Sequence, residues 1–209
     1  MNIRRFPLGS LWTNGYLFWD AEGKAFFVDP GGDPREVLDF MQKEQIILER
    51  ILLTHGHADH MCGVESLRVE TKAPVAVHEE DAFMLEHPEH NLSQFLGAPC
   101  SAGPAEVLLS EGDSFHVGNM RIRVIHTPGH TPGSCLFYVT ENEETALLSG
   151  DTLFAQSVGR TDLPGGNNVA LEHSLRRFAE FSENLRVLPG HGPETTIGEE
   201  KHHNPYWPR

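Results

Sequence analysis

The sequence predicts an α/β (α+β) domain in which sheet packs on sheet with helices outside. Two observations carry this expectation. Short aliphatic runs recur in both halves of the chain, each stopping at a polar end rich in Gly or Pro, and helix-periodic stretches are interleaved with them. A third observation bounds it: no low-complexity linker, heptad pattern or fixed-period repeat divides the 209 residues, a length that suits a single domain over residues 1–209.

In chain order, "MNIRRFPLGSLW" reads as a first strand. It carries two arginines but neither the continuous apolar core nor the small-residue cleavage site of a signal peptide. "GYLFW" at 15–19 and "AFFVDPGG" at 25–32 follow as strands, the second stopping at a Pro-Gly turn. In "PREVLDFMQKE", Pro34 suits a first helical turn, and Val37, Leu38, Phe40 and Met41 share one face. Ile51, Leu52 and Leu53 read as a buried strand that ends at a histidine cluster. "PVAVHEEDAFMLEHP" reads as a strand at 74–77 turning into a helix to about Glu86. The second half repeats the theme, with "MRIRVIHTPGHTPGS", "SCLFYVT" and "TALLSGD" as strands. A helix at about 169–181 follows, with Leu171, Leu175 and Phe178 on one face, and then a short strand in "LRVLPGHG".

Charge narrows the partners. Sixteen Lys and Arg stand against 30 Asp and Glu, a formal net charge of -14, whereas nucleic-acid affinity rests on cations that neutralise phosphates. A small-molecule substrate is expected, with no nucleic acid. No apolar run approaches the roughly 18 residues of a membrane span, so a soluble chain is expected. Cys62, Cys100 and Cys135 are odd in number and lack CxxC spacing, which predicts free thiols in a reducing cytoplasm. Nothing in the sequence specifies an oligomeric state.

Four motifs carry the chemistry: "THGHADH" at 54–60, "HTPGHTPGS" at 126–134, "SGDTLF" at 149–154 and "PGHG" at 189–192. Each places a His or Asp just beyond an apolar strand, so rigid strands fix the donors while loops leave the site open. Together they offer seven donors: His55, His57, Asp59, His60, His130, Asp151 and His191. A catalytic zinc-like ion takes about three protein ligands and keeps a position for water. Seven donors therefore suit two ions sharing a carboxylate.

With an HxHxDH signature followed by a His, an Asp and a last His on successive loops, the chain resembles the metallo-β-lactamase fold over nearly its whole length. "VDPGG", "ILLTHGHADH", "HTPGHTPGS", "GDTLFAQSVGRTD" and "GHGPETTIGEE" are similar to segments of the short bacterial glyoxalase-II-like (hydroxyacylglutathione hydrolase-like) hydrolases. The resemblance implies a four-layer αββα sandwich with metals at one edge. It implies His55, His57 and His130 on one ion, Asp59, His60 and His191 on the other, and Asp151 bridging them. Two divalent ions per chain are expected, zinc first, with iron or manganese accepted by the same donors. The implied reaction is hydrolysis of a thioester such as S-(hydroxyacyl)glutathione by a metal-bound hydroxide. A thiolate leaves with little help, because its conjugate acid has a pKa near about 8.5. Asp59 is a ligand that could also relay a proton. Asp29 and Thr54 are expected to hold ligand imidazoles through their free N–H groups.

Plainer readings exist for some of these residues. The "HGHADH" segment could merely cap a helix through Asp59. His126 lies four residues before His130, but Pro128 intervenes and the segment reads as strand and turn, so it is left out of the ligand set. Arg160 suits a substrate carboxylate, or pairs with Asp162 to shape its loop. Cys62 is read as a bystander. His78, His87, His90, His116, His173, His202 and His203 are read as surface or packing residues.

Two activities remain open on this pattern. Full-length glyoxalase II enzymes carry a C-terminal helical domain that grips glutathione, whereas 18 residues follow His191 here. Persulfide dioxygenases share the fold and resemble the chain in "GRTD", using one iron in a two-His, one-carboxylate triad, for which His55, His130 and Asp151 would serve. A β-lactamase is less expected, since an amide nitrogen leaves poorly without protonation. A nuclease is disfavoured by the acidic charge, and a closed structural zinc module by seven donors on open loops.

Overall fold

Alternation along the strands sets the layers of this protein, whose computed structural model describes residues 1–208. Six strands form the first sheet in chain order: β1 (Asn2–Leu8), β2 (Thr13–Trp19), β3 (Lys24–Val28), β4 (Ile47–Leu52), β5 (Val75–His78) and β6 (Val107–Leu109). The first three run antiparallel, and β4 to β6 continue parallel to β3. Strands β7 (Ser114–Val117), β8 (Met120–His126), β9 (Cys135–Glu141) and β10 (Glu144–Gly150) are the antiparallel part of the second sheet. A small separate pair, β11 (Leu153–Phe154) and β12 (Ser157–Val158), comes next in the chain. Strand β13 (Arg186–Pro189) then lies parallel to β10, and β14 (Thr195–Thr196) closes the sheet as its edge.

Residues of one parity meet between the sheets. Tyr16, Phe18, Phe26 and Val28 pack there against Ile122, Val124, Phe137 and Val139. Their neighbours Leu17 and Phe27 turn the other way, onto Val37 and Met41 of helix α1 (Arg35–Glu44) and onto Val64 and Leu67 of the later helix that runs over Val64–Thr71. On the far side, Ile125, Leu136 and Leu147 pack on Leu171, Leu175, Phe178 and Ile197. Helix–sheet–sheet–helix is therefore the layer order, the αββα sandwich expected. Full burial of each such Phe, Leu or Ile side chain contributes about 1.5–3 kcal/mol, so the three apolar clusters hold the strand ends still.

Several elements differ in detail from the expectation. Pro34 caps α1 instead of entering its first turn. The helix after β5 is a 3-10 helix over Glu79–Glu86, whose three-residue repeat turns both Asp81 and Met84 inward. The helix near 169–181 is α-helical over Asn168–Arg176 and continues as 3-10 to Glu180. A short helix α2 (Ala58–Met61) does start in the "HGHADH" segment, with His57 and not Asp59 at its N-cap, while α3 (Val64–Thr71) and the C-terminal helix Ile197–His203 were not foreseen.

One expectation is corrected. Cys62 and Cys100 are joined in a disulfide with their Cα atoms 5.8 Å apart, and only Cys135 is a free, buried thiol. The pairing depends on a fold-back that spacing does not reveal. Asn91 Nδ2 and Ser93 Oγ both donate to the Cys100 carbonyl, which closes the 91–100 loop on itself, and the Ala58 N–H at the start of α2 donates to the Asn91 carbonyl at 2.8 Å.

Candidate metal centre

The donors converge at one edge of the sandwich. The loop after β4 brings His55, His57, Asp59 and His60, the β8–β9 loop brings His130, and the ends of β10 and β13 bring Asp151 and His191. Donor atoms of His55, His57 and His130 all lie within 4.8 Å of one another, as do those of Asp59, His60 and His191, and those of His55, His60 and Asp151. Asp151 stands between the first two groups. Its Oδ1 is 3.3 Å from His60 Nε2, and its Oδ2 is 3.5 Å from His130 Nε2 and 3.6 Å from His191 Nε2.

Hydrogen bonds behind the imidazoles fix which nitrogen faces the centre. Asp29 Oδ2 accepts from His60 Nδ1 at 3.0 Å and from the Thr54 hydroxyl at 2.7 Å, while Asp29 Oδ1 accepts from the Thr54 N–H at 2.8 Å. With its proton given to Asp29, Thr54 Oγ1 accepts from His55 Nδ1 at 3.1 Å. The Arg160 carbonyl, which can only accept, takes the His130 Nδ1 proton at 2.7 Å. His55, His60 and His130 thus each turn Nε2 toward the same small space.

That space needs positive charge. His55 Nε2 and Asp151 Oδ1 are buried without a hydrogen-bond partner, and the lone pair of His60 Nε2 points at the carboxylates of Asp151 and Asp59, the latter 3.5 Å away. His57 Nδ1 and His130 Nε2 face each other at 2.9 Å. Lone pairs packed on carboxylates repel unless a proton or a cation lies between them. The donor set of imidazole and carboxylate, three ring nitrogens on one side and a mixed trio on the other, fits divalent ions.

Electrostatics divide the imidazoles. Burial, reinforced by His60 and His57, pushes His55 well below the ordinary histidine value, and burial with His130 pushes His57 down to about 3. Both are neutral donors at pH 7. For His60, burial opposes the cation, but Asp151, Asp59 and Asp29 outweigh it and raise the ring well above its usual value. His191 is raised too, its burial overcome by the hydrogen bond to Asp59 and by Asp151. Burial works against ionised Asp59 and Asp151 as well, yet His60 and His191 hold both carboxyls below the usual range.

Other predicted residues fall outside the cluster. His126 donates through Nε2 to the Pro132 carbonyl at 2.7 Å and stacks on His78 with ring centroids 3.9 Å apart. The Arg160 guanidinium donates to both carboxylate oxygens of Asp162, at 2.7 and 2.8 Å, and its backbone carbonyl is what serves the centre. Cys62 is occupied by its disulfide.

Three contributors were missed. Thr13 Oγ1 donates to Asp59 Oδ2 at 3.2 Å, on the same oxygen that receives His191 Nε2 at 3.1 Å. Asn14 Nδ2 donates to the Pro189 and Gly192 carbonyls at 2.9 Å each, clamping the turn that carries His191. Buried Asp81 accepts from Gly56 N–H at 2.9 Å, Gly133 N–H at 2.6 Å and the Thr131 hydroxyl at 2.7 Å, tying the first histidine loop to the loop of His130. A polar residue at a strand's start would have been the signal for Asn14. Asp81 gives none, sitting in "HEED" where acids read as an exposed helical face.

With the geometry in hand, comparison places the chain among known proteins. The profile of the Metallo-beta-lactamase superfamily matches residues 11–191. The hydroxyacylglutathione hydrolase GloC of Haemophilus influenzae is 32% identical over 210 residues, 99% of this chain and 98% of that one. The crystal structure of the BLEG-1 B3 metallo-beta-lactamase superposes with a TM-score of 0.93 at 39% identity, covering 99% of each chain. That of TTHA1623 in a di-iron-bound form gives 0.85 at 37% identity, covering 97% of this chain and 99% of that one. ETHE1 from Myxococcus xanthus gives 0.79 at 30% identity, with 98% of this chain and 84% of that one covered.

Proposed function

The chain belongs to the metallo-beta-lactamase superfamily, and on that premise we propose that it is a dinuclear metal-dependent thioester hydrolase of the glyoxalase II type. The observation that carries the reading is the convergence of the His55, His60 and His130 Nε2 atoms on the buried Asp151 carboxylate, with His55 Nε2 and Asp151 Oδ1 left without a hydrogen-bond partner. His55, His57 and His130 would hold one ion, Asp59, His60 and His191 the other, with Asp151 between them. Such ions polarise a carbonyl and lower the pKa of water from about 15.7 to about 7.

The chain's own groups do the rest. Asp29, Thr54 and the Arg160 carbonyl keep three imidazoles in the tautomer that donates inward. Thr13 and His191 share Asp59 Oδ2, while His60 and His191 keep that carboxylate ionised at neutral pH, ready to act as a ligand. No side chain is required to protonate the leaving group, since a thiolate departs unaided near neutral pH. The relationship to GloC supports a hydroxyacyl thioester of glutathione or a similar thiol as substrate.

Metal analysis combined with turnover tests the reading. Two ions per chain, release of free thiol from S-lactoylglutathione and loss of that activity with a chelator are expected. The 30% identity to ETHE1, with the "GRTD" segment, supports a second reading, an iron persulfide dioxygenase using His55, His130 and Asp151. One iron per chain with oxygen uptake on glutathione persulfide would establish it and overturn the hydrolase. Hydrolysis of a β-lactam in preference to every thioester would overturn both.

A further inference from the structure

Beside the metal centre opens a cleft of about 670 Å³ whose floor is His57, Asp59, His130, Asp151 and His191. Its walls are built from Leu11, Leu92, Phe95, Leu96, Phe154 and Leu163. Phe95 is 76% exposed and Leu11 50%, and Trp12 beside Leu11 is 73% exposed. Large apolar side chains held out in water around a site mark a surface that is covered when the site is used.

The polar groups of these walls are already committed. Asn91 gives its amide N–H to the Cys100 carbonyl at 3.0 Å, and its oxygen accepts from Ser93 N–H at 2.9 Å. Arg160, the one Lys or Arg lining the cleft among the described residues, is paired with Asp162 through both arms of its guanidinium. A substrate carboxylate would therefore meet no free Lys or Arg along these walls, in a chain of net charge -14.

Resting on the thioester reading above, we infer that this cleft selects thioesters by an extended apolar acyl chain, laid along Leu92, Phe95 and Leu96 with its carbonyl at the metal centre. The apolar portion must be the acyl side, because carrier thiols such as glutathione and pantetheine are polar amides. In the reaction the oxygen of water bonds to the acyl carbon and the C–S bond breaks. Carboxylate, free thiol and one proton are the products.

Paired substrates with one leaving thiol test this: S-acetyl- and S-hexanoyl-N-acetylcysteamine, with S-lactoylglutathione alongside, on the metal-loaded full chain. We expect kcat/KM to rise at least tenfold from acetyl to hexanoyl, chiefly through KM, since each buried methylene favours binding. The hexanoyl substrate should also exceed S-lactoylglutathione. Phe95→Ala removes an exposed side chain and should lower the hexanoyl-to-acetyl ratio at least threefold. The non-hydrolysable S-hexyl thioether should bind the wild-type chain, followed by tryptophan fluorescence, and bind the variant at least threefold more weakly. Equal or slower turnover of hexanoyl, or preference for S-lactoylglutathione, overturns the inference and leaves the hydrolase standing. Failure to cleave any of the three by a chain carrying two metals removes the hydrolase reading, and this inference with it.

Discussion

Asp29 shows how much of the centre hangs on one side chain. It sits in left-handed backbone, φ 55°, directly before Pro30, a conformation a non-glycine residue holds only when its surroundings over-determine it. Here three donors do so: Thr54 N–H, Thr54 Oγ1 and His60 Nδ1. Asn tolerates that backbone but offers one oxygen in place of two and turns an NH2 toward a donor. Asp29→Asn should therefore lower metal affinity about 10- to 100-fold, the usual effect of losing a group that orients a ligand imidazole. Competition with a chelator measures it, and near wild-type affinity would show that His60 is oriented by something else. The position was legible because "VDPGG" stands out beside the histidine motif. Asp81, with an equal share of three hydrogen bonds, was not, since burial of a carboxylate depends on what folds over it and not on its neighbours in sequence.

At the scale of elements, the seven residues that converge at the rim were readable because each follows an aliphatic strand long enough to show itself, as Ile51 to Leu53 does before His55. Strands of two to four residues such as β7, β11 and β14 carry too few positions for a period-two pattern, and α2 is a single turn. The Cys62–Cys100 link escaped for a related reason: it joins α2 to a loop 38 residues away through contacts of Asn91 and Ser93 that no spacing rule encodes. Closing such a loop restricts the unfolded chain and contributes roughly 2–4 kcal/mol. Cys100→Ser should lower the melting temperature by roughly 4 to 16 °C, at about 2–4 °C per kcal/mol for a chain of this size. A calorimetric scan without reductant reads this directly. The variant should also lose protection first within residues 91–100 in hydrogen exchange, because that loop would be released from α2. An unchanged melting point would mean the two sulfurs are not joined in solution.

For the whole molecule, two sheets closed by helices hold a concentrated set of opposed charges at one rim, and stability must follow their protonation. In the metal-free protein His60 and His191 are raised, so their contribution is complete below about pH 6.5, the unfolded value, and is lost as pH rises through their folded values. Asp59 and Asp151 are lowered, so theirs is complete above about pH 3.8 and is lost as pH falls through their folded values. His55 and His57 are lowered and oppose folding progressively as pH drops below about 6.5. Stripped of metal, the protein should therefore lose stability on both sides of a maximum, including a decline through the alkaline range. An ion held by His60 Nε2 would take the proton's place and would not leave as pH rises, and such binding would add about 4 kcal/mol at a thousand times Kd. Melting temperature from pH 6 to 9, with and without chelator, should accordingly fall in the stripped protein and stay nearly level in the loaded one. Parallel curves would mean that the bound cation does not take over the proton's place at His60.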